Sequence, residues 1–191
     1  MEDRAQVNTL EGFAAAFVII FAVFFGLQAV ASTSPGTLSQ EVQTYDQKIT
    51  NDVLVQSKVV EAGETQSELK TALLNWTTSG DGFNGSADGE VYYDGSSPVP
   101  GGFGETLNIL EERDIAYSID LVCDGKRQPF VRQGDGGENP VSSSVTVILN
   151  DDDRLEDGTR LENAPGYPCK DVGEDSNLYN VVEVRITAWR T

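Results

Sequence analysis

The side chains available for chemistry in this chain are mainly carboxylates. Its 191 residues include 31 Asp and Glu but no His. General acid–base catalysis would therefore depend on carboxylates or Lys, and a Ser nucleophile would lack the imidazole that usually activates it. Because a highly acidic surface accounts for the many carboxylates, a pair such as Glu111 and Glu112 does not indicate a catalytic site. We expect a protein that is not an enzyme and needs no cofactor.

The two cysteines, Cys123 and Cys169, are the other reactive residues. Without His and without Cys-x-x-Cys spacing, they match neither a zinc site nor a catalytic thiolate. If paired, they would close a loop of about 46 residues and stabilise the fold by ~3 to 4 kcal/mol by restricting the unfolded chain. The sequence therefore predicts a disulfide, which persists in oxidising compartments outside the cytoplasm. Two free buried thiols are the alternative.

Short polar patterns could carry a glycan or a cation. Asn75 and Asn84 each begin an Asn-x-Ser/Thr sequence, the acceptor pattern for N-glycosylation. Residues 151–153 are consecutive aspartates, and Asp81, Asn84 and Asp88 form a second set of oxygen ligands that could suit Ca²⁺. Neither set has the spacing of an EF-hand, so we expect solvated acidic turns and no metal.

The charge balance limits the kind of partner. The net charge is −18, with only 13 basic residues. This excess of acid is typical of a folded surface that stays hydrated at very high salt, where screening removes the self-repulsion. It argues against nucleic-acid binding on electrostatic grounds, because phosphate recognition needs a basic surface. An acidic exported domain without halophilic origin is the alternative interpretation.

An apolar run from Phe13 to Ala31 is the feature that predicts location. It contains about the 20 residues that a helix needs to cross a bilayer, so we expect a transmembrane helix over residues 12–31. The preceding residues 1–11 would be a short cytoplasmic lead, and everything after the run would be extracellular. A secretory signal peptide cleaved after Ala31 is the alternative, because residues 29–31 fit the small-x-small pattern.

Apolar spacing predicts helices in the next segment. A stripe with intervals of four and three indicates an amphipathic helix that reaches about Glu61, and it consists of Leu38, Val42, Tyr45, Ile49 and Val53. This stripe would pack on its own domain or form a contact between molecules. Gly63 would end the helix, and residues 65–68 would form a capping box that starts a second helix. We treat residues 32–77 as a helical stalk.

The remainder, residues 78–191, is expected to form an extracellular, acidic, β-rich domain. After a Gly-, Ser- and Pro-rich excursion and a short helix over 105–113, alternating residues predict a strand from Ile115 to Cys123. Asp124-Gly125 is a strong hairpin turn signal, and the returning strand would span 126–132. Two more strands are expected over 141–149 and after Asn177. The predicted fold class is α+β: a transmembrane helix, a helical stalk and an antiparallel sheet.

The residues before the apolar run resemble the class III signal of archaeal prepilins. In that signal a basic residue and a small residue precede the scissile bond, and here Arg4 and Ala5 precede Gln6. The resemblance implies that a prepilin peptidase cuts between Ala5 and Gln6. Glu11 would then be the acidic residue that pairs with the N-terminal amine of a neighbouring subunit. Glu11 is sixth after this bond, whereas the usual position is fifth, and cleavage after Gln6 would restore the usual spacing.

Other segments resemble an uncharacterised haloarchaeal family of pilin-like membrane proteins. They are residues 8–12, 103–104, 112–117 and 179–190. The likeness implies a membrane-anchored minor pilin or pseudopilin in a type IV pilus-like or secretion system. Its partners would be the lipid bilayer, a prepilin peptidase and other pilin-like subunits. The alternative is a single-pass anchored extracellular domain that binds a ligand or partner without polymerising.

Overall fold

A computed structural model describes Phe17, residues 19–21 and residues 35–191 apart from 79–81, 88, 135 and 174. The chain divides into two compact units, residues 1–42 and 43–191. In the first unit, Phe17 and residues 19–21 are helical and exposed, and the rings of Phe17 and Phe21 stack with centroids 6.5 Å apart. The second unit contains the sheet and the core.

Three α-helices lie within residues 35–191: α1 (Pro35–Lys58), α2 (Glu68–Leu73) and α3 (Gly101–Glu111). The amphipathic spacing predicted α1, and Pro35 suits a first helical turn because it needs no backbone N–H there. The predicted cap of α2 is wrong. Ser67 Oγ, rather than Thr65, accepts the hydrogen bond from Lys70 N at 3.3 Å, so the helix begins at Glu68.

Five strands form one sheet: β1 (Tyr93–Asp94), β2 (Ile115–Cys123), β3 (Lys126–Arg132), β4 (Val141–Asn150) and β5 (Leu178–Arg190). Their order is β1-β3-β2-β5-β4. The predicted hairpin between β2 and β3 is confirmed, with positive φ at both Asp124 and Gly125, as a type I′ turn requires. The predicted strands over 141–149 and after Asn177 are also present, and β5 lies between β2 and β4.

The predicted fold class is wrong in two respects. The sheet is mixed rather than antiparallel, because β1 pairs in parallel with β3 through Tyr93 and Asp94. The expected membrane-spanning helix is not found either: within the residues placed by the structure, no helix is both long enough and apolar enough to cross a membrane. Most of the apolar run over residues 12–31 lies outside those residues.

The core lies between one face of the sheet and the helices. Alternate β2 residues Ile115, Ile119 and Leu121 are fully or almost fully buried there. Phe103, Leu107 and Leu110 cover them from α3, as the intervals of four and three predict for a packed helical face. A cluster of aromatic rings in edge and stacked contacts closes the core, consisting of Trp76, Phe83, Tyr93, Phe103, Phe130, Tyr167 and Tyr179.

Candidate functional site

The buried face of α1 is unusually polar. Asp46, Thr50 and Ser57 are exposed by only 6%, 0% and 1%, beside the apolar Val53 and Leu54. Thr50 Oγ1 donates to the Asp46 carbonyl at 2.7 Å, and Ser57 Oγ donates to the Val53 carbonyl at 2.8 Å. These hydroxyls are therefore satisfied within the helix and can be buried at little cost.

Asp46 anchors α1 to the end of β5. Arg190 donates two hydrogen bonds to this carboxylate, from Nε at 2.9 Å and from an Nη at 2.7 Å. The two-point geometry suits the planar guanidinium, and the hydrogen bond to Asp46 raises the pKa of Arg190. Because the two residues are 144 positions apart, this ion pair joins the first helix of the sheet-bearing unit to its final strand.

Two further contacts fix α1 on either side. Arg113 Nη1, just beyond α3, donates to Tyr45 Oη at 2.7 Å. Ser143 Oγ in β4 donates to the Gln47 carbonyl at 3.4 Å. Together with Arg190 in β5, these contacts hold α1 through polar groups on three segments: the residues after α3, strand β4 and strand β5.

Part of the apolar stripe of α1 is exposed. Of the residues expected on its packing face, Val53 is buried and Ile49 is partly buried, but Val42 is 42% exposed and Tyr45 is 51% exposed. The stripe and the buried face are therefore offset around the helix. We call the exposed helix surface around Tyr45, with the partly buried Ile49 at its margin, the α1 surface, and it is the candidate functional site.

The predicted disulfide is present. Cys123 at the end of β2 and Cys169 in the loop before β5 are bonded, with Cα atoms 5.5 Å apart, and both are buried. Tyr179 Oη donates to the Cys169 carbonyl at 2.8 Å, and Asn180 Nδ2 donates to the Lys170 carbonyl at 2.6 Å. The covalent bond and these two hydrogen bonds hold the long β4–β5 loop against the sheet.

The two glycosylation candidates lie in different environments. Asn75 Nδ2 donates to the Asn84 carbonyl at 3.2 Å and to Tyr93 Oη at 3.0 Å. The nitrogen that would carry a glycan is therefore engaged in hydrogen bonds within the fold. Burial raises the pKa of Tyr93 to about 12, which keeps that hydroxyl protonated and available to donate onward. Asn84 is exposed, and its Nδ2 donates to Glu156. Of the two residues, Asn84 is the more accessible to a modifying enzyme, and glycosylation at either remains a prediction.

Asn84 also lines an open groove of about 610 Å³ between α2, the start of α3 and the β4–β5 loop. Four glutamates and one arginine contribute charge to this groove: Glu61, Glu64, Glu68, Glu156 and Arg154. The excess of carboxylates would favour a cationic or polar ligand over an anion.

The aspartates at 151–153 are partly used by the fold. Asp153 pairs with Lys70 at 2.7 Å and accepts a hydrogen bond from Asn150 N at 2.7 Å. Burial, followed by the charges of Asp171, Glu162 and Asp152, raises the pKa of Asp151, whose Oδ1 has no hydrogen-bond partner. Among the residues with described placement, no group of three or more His, Cys, Asp or Glu side chains could hold a metal ion. Asp81 and Asp88, of the second set, lie outside those residues.

The predicted processing and assembly residues Ala5, Gln6 and Glu11 also lie outside the described residues. Conversely, sequence reasoning missed Asp46 and Arg190. A single Asp in a helix and a single Arg near the end of a strand resemble ordinary surface residues, and no local signal joins positions so far apart.

These features define an acidic, disulfide-linked domain in which helices cover one face of a mixed sheet. The chain belongs to a family of unknown function (DUF7288), whose model matches residues 4–188. Searches of curated proteins and of solved structures found no match.

Proposed function

We propose that this protein is a structural, pilin-like subunit displayed outside the cytoplasm, and that the α1 surface packs against neighbouring subunits. The observation that carries the proposal is the half-exposed Tyr45 on the apolar stripe of α1. A helix that served only its own domain would bury its apolar side chains, whereas here Tyr45 is half exposed while Asp46, Thr50 and Ser57 are buried.

The way α1 is attached supports this role. Polar contacts to Arg190, Arg113 and Ser143 fix the helix beside the buried Val53 and Leu54, and of Tyr45 only the hydroxyl takes part in them. The exposed ring surface of Tyr45 is left for a contact between molecules, where burial of apolar area contributes about 25 cal/mol per Å². A rigidly held helix also loses little conformational entropy when it packs against another subunit.

The disulfide and the charge support the proposed location. A buried bond between Cys123 and Cys169 is typical of proteins that fold in an oxidising compartment. A chain with a net charge of −18 also suits a surface exposed to a salty medium. Processing between Ala5 and Gln6 and pairing through Glu11 belong to the same proposal, as expectations from the resemblance to prepilins.

The second candidate is an extracellular domain that binds a ligand or partner without polymerising. The acidic groove beside Asn84 is the observation that favours it, because its size suits a small ligand. In that case the α1 surface would remain solvated in the working protein.

Crosslinking through α1 tests the proposal. The full chain would be expressed in a host that assembles such proteins, with Tyr45→Cys on the stripe and, as the matched control, Asn51→Cys at another exposed position of the same helix. A short thiol-specific crosslinker is then applied to sheared surface material. We expect covalent multimers with Tyr45→Cys and few with Asn51→Cys.

Either of two results would refute the proposal. One is that both variants remain monomeric although the protein is present at the surface. The other is that the protein never appears in sheared material and stays with the cells, which would favour the second candidate.

A further inference from the structure

The outer edge of β4 is the most unusual surface of the sheet. Strand β4 pairs with β5 from Val141 to Asn150 and is last in the strand order, so its other edge faces no strand within the described part of the chain. A free edge of this length presents a row of backbone N–H and C=O groups that can pair with another strand.

The edge lacks the features that usually prevent such pairing. Each of the other strands carries charge, including Asp94 in β1 and Asp120 in β2, but β4 has no charged residue in its ten positions. It has no proline, and its only irregularity is at Leu149/Asn150. Val, Thr and Ile also favour extended structure. The opposite edge, β1, is by contrast only two residues long.

From this edge we infer that β4 pairs antiparallel with β4 of a second copy of the chain, forming one continuous sheet across the dimer. The charge distribution favours a second copy. Two chains that each carry a net charge of −18 repel each other, and β4 is the strand along which they can approach without opposing charges within the strand itself. Val141 and Val145, which are only partly buried, would gain cover from the second copy.

The position of the irregularity suggests the register. The regular part of β4 runs from Val141 to Leu149, and its centre is Val145. In an antiparallel pair, opposite residues share a face, so a twofold axis at Val145 keeps the core faces of both copies continuous. Val145 then lies opposite itself, and Ser143 lies opposite Val147. This contact does not involve the α1 surface, so it stands or fails independently of the proposed filament role.

Sedimentation of the purified full chain in molar salt tests the pairing. We expect a concentration-dependent dimer in the wild type. Val145→Glu would place two carboxylates opposite each other on the axis and should weaken dimerisation by about tenfold or more. The matched control is Val122→Glu, which changes another partly exposed valine on the interior strand β2 and should leave the dimer intact. Thermal melting shows whether each variant is folded.

A register-specific crosslink covers the case in which Val145→Glu fails to fold. Val145→Cys should form a disulfide-linked dimer on mild oxidation, because cross-strand Cα distances in an antiparallel pair permit a disulfide. Ser143→Cys, on the same face but opposite Val147, should not. A wild type that is monomeric at all concentrations would overturn the inference, as would a dimer that Val145→Glu leaves unchanged and Val145→Cys does not trap. Capture of an unrelated extended peptide by a monomer would also overturn it.

Discussion

Replacing Arg190 by Met removes the hydrogen-bond partner of a buried carboxylate and tests how α1 is held on the sheet. The side chain of Asp46 is 9% exposed and that of Arg190 is 48% exposed. In Arg190→Met, the Asp46 charge would remain in its buried position without a cation. In Asp46→Asn, the buried charge itself is removed while the size of the side chain is kept.

The expected loss in the free energy of unfolding follows from a pair in which one side chain is buried and the other half exposed. Breaking one side of a fully buried ion pair costs about 3–5 kcal/mol, whereas an exposed pair contributes about 0–1 kcal/mol. Because solvent screens Arg190 but hardly reaches Asp46, we expect Arg190→Met to lower the free energy of unfolding by about 2 kcal/mol. Asp46→Asn should lower the free energy of unfolding by about 1 kcal/mol, since the only charge left without its partner is the half-exposed guanidinium of Arg190. The double variant should resemble Asp46→Asn alone.

Urea denaturation of the full chain, followed by tryptophan fluorescence at fixed salt, measures these differences. Arg185→Met is the matched control, because Arg185 is in the same strand and pairs with Glu183 at 2.8 Å, with both side chains about one-third exposed. It should cost less than about 1 kcal/mol. Hydrogen exchange in the second half of α1 should become faster in Arg190→Met only. A loss in Arg190→Met no larger than that in Arg185→Met would refute the anchoring role of the pair.

Three further predictions concern the stability of the whole domain. Replacing Cys123 and Cys169 together by Ser should lower the free energy of unfolding by about 4 kcal/mol, because the disulfide closes a loop of 46 residues and restricts the unfolded chain. A loss below about 1 kcal/mol in urea denaturation would show that this restriction does not stabilise the fold. Asp151→Asn should raise the Tm at neutral pH, because the pKa of Asp151 is raised in the fold and its charged form is therefore destabilising there. The gain in Tm should shrink as pH falls through that pKa, because protonation removes the unfavourable charge of Asp151 in the wild type. An equal Tm of variant and wild type at neutral pH would show that this charge does not destabilise the fold. Finally, the Tm of the wild type should rise between 0.1 M and 1 M salt, over which the Debye length falls from about 10 Å to about 3 Å. A constant or falling Tm would show that self-repulsion of the −18 charge is unimportant.

The sequence was sufficient for elements whose signals are local. The alternation in β2 and the Asp124-Gly125 turn located the central hairpin, because period-two burial and a turn with positive φ leave direct marks on neighbouring residues. Cys123 and Cys169 could be paired because they are the only two cysteines.

Features that depend on distant residues could not be predicted in the same way. Strand β1 is two residues long, and its sequence does not indicate that it pairs in parallel with Val131 and Arg132. The stripe on α1 correctly indicated a helix but did not show that Asp46 would be buried, because the partner of Asp46, Arg190, is 144 positions away. The groove likewise combines segments that are far apart in the chain.

The order of the strands has a consequence for when this domain can fold. Strand β5 is last of the five in chain order, yet it lies between β2 and β4 and also supplies Arg190 for α1. Neither β4 nor the helix can reach its final position until β5 has been synthesised, and such non-local pairing makes folding slow. The growing chain therefore remains open during synthesis, which is the state that a protein needs if it is to be exported before its disulfide forms.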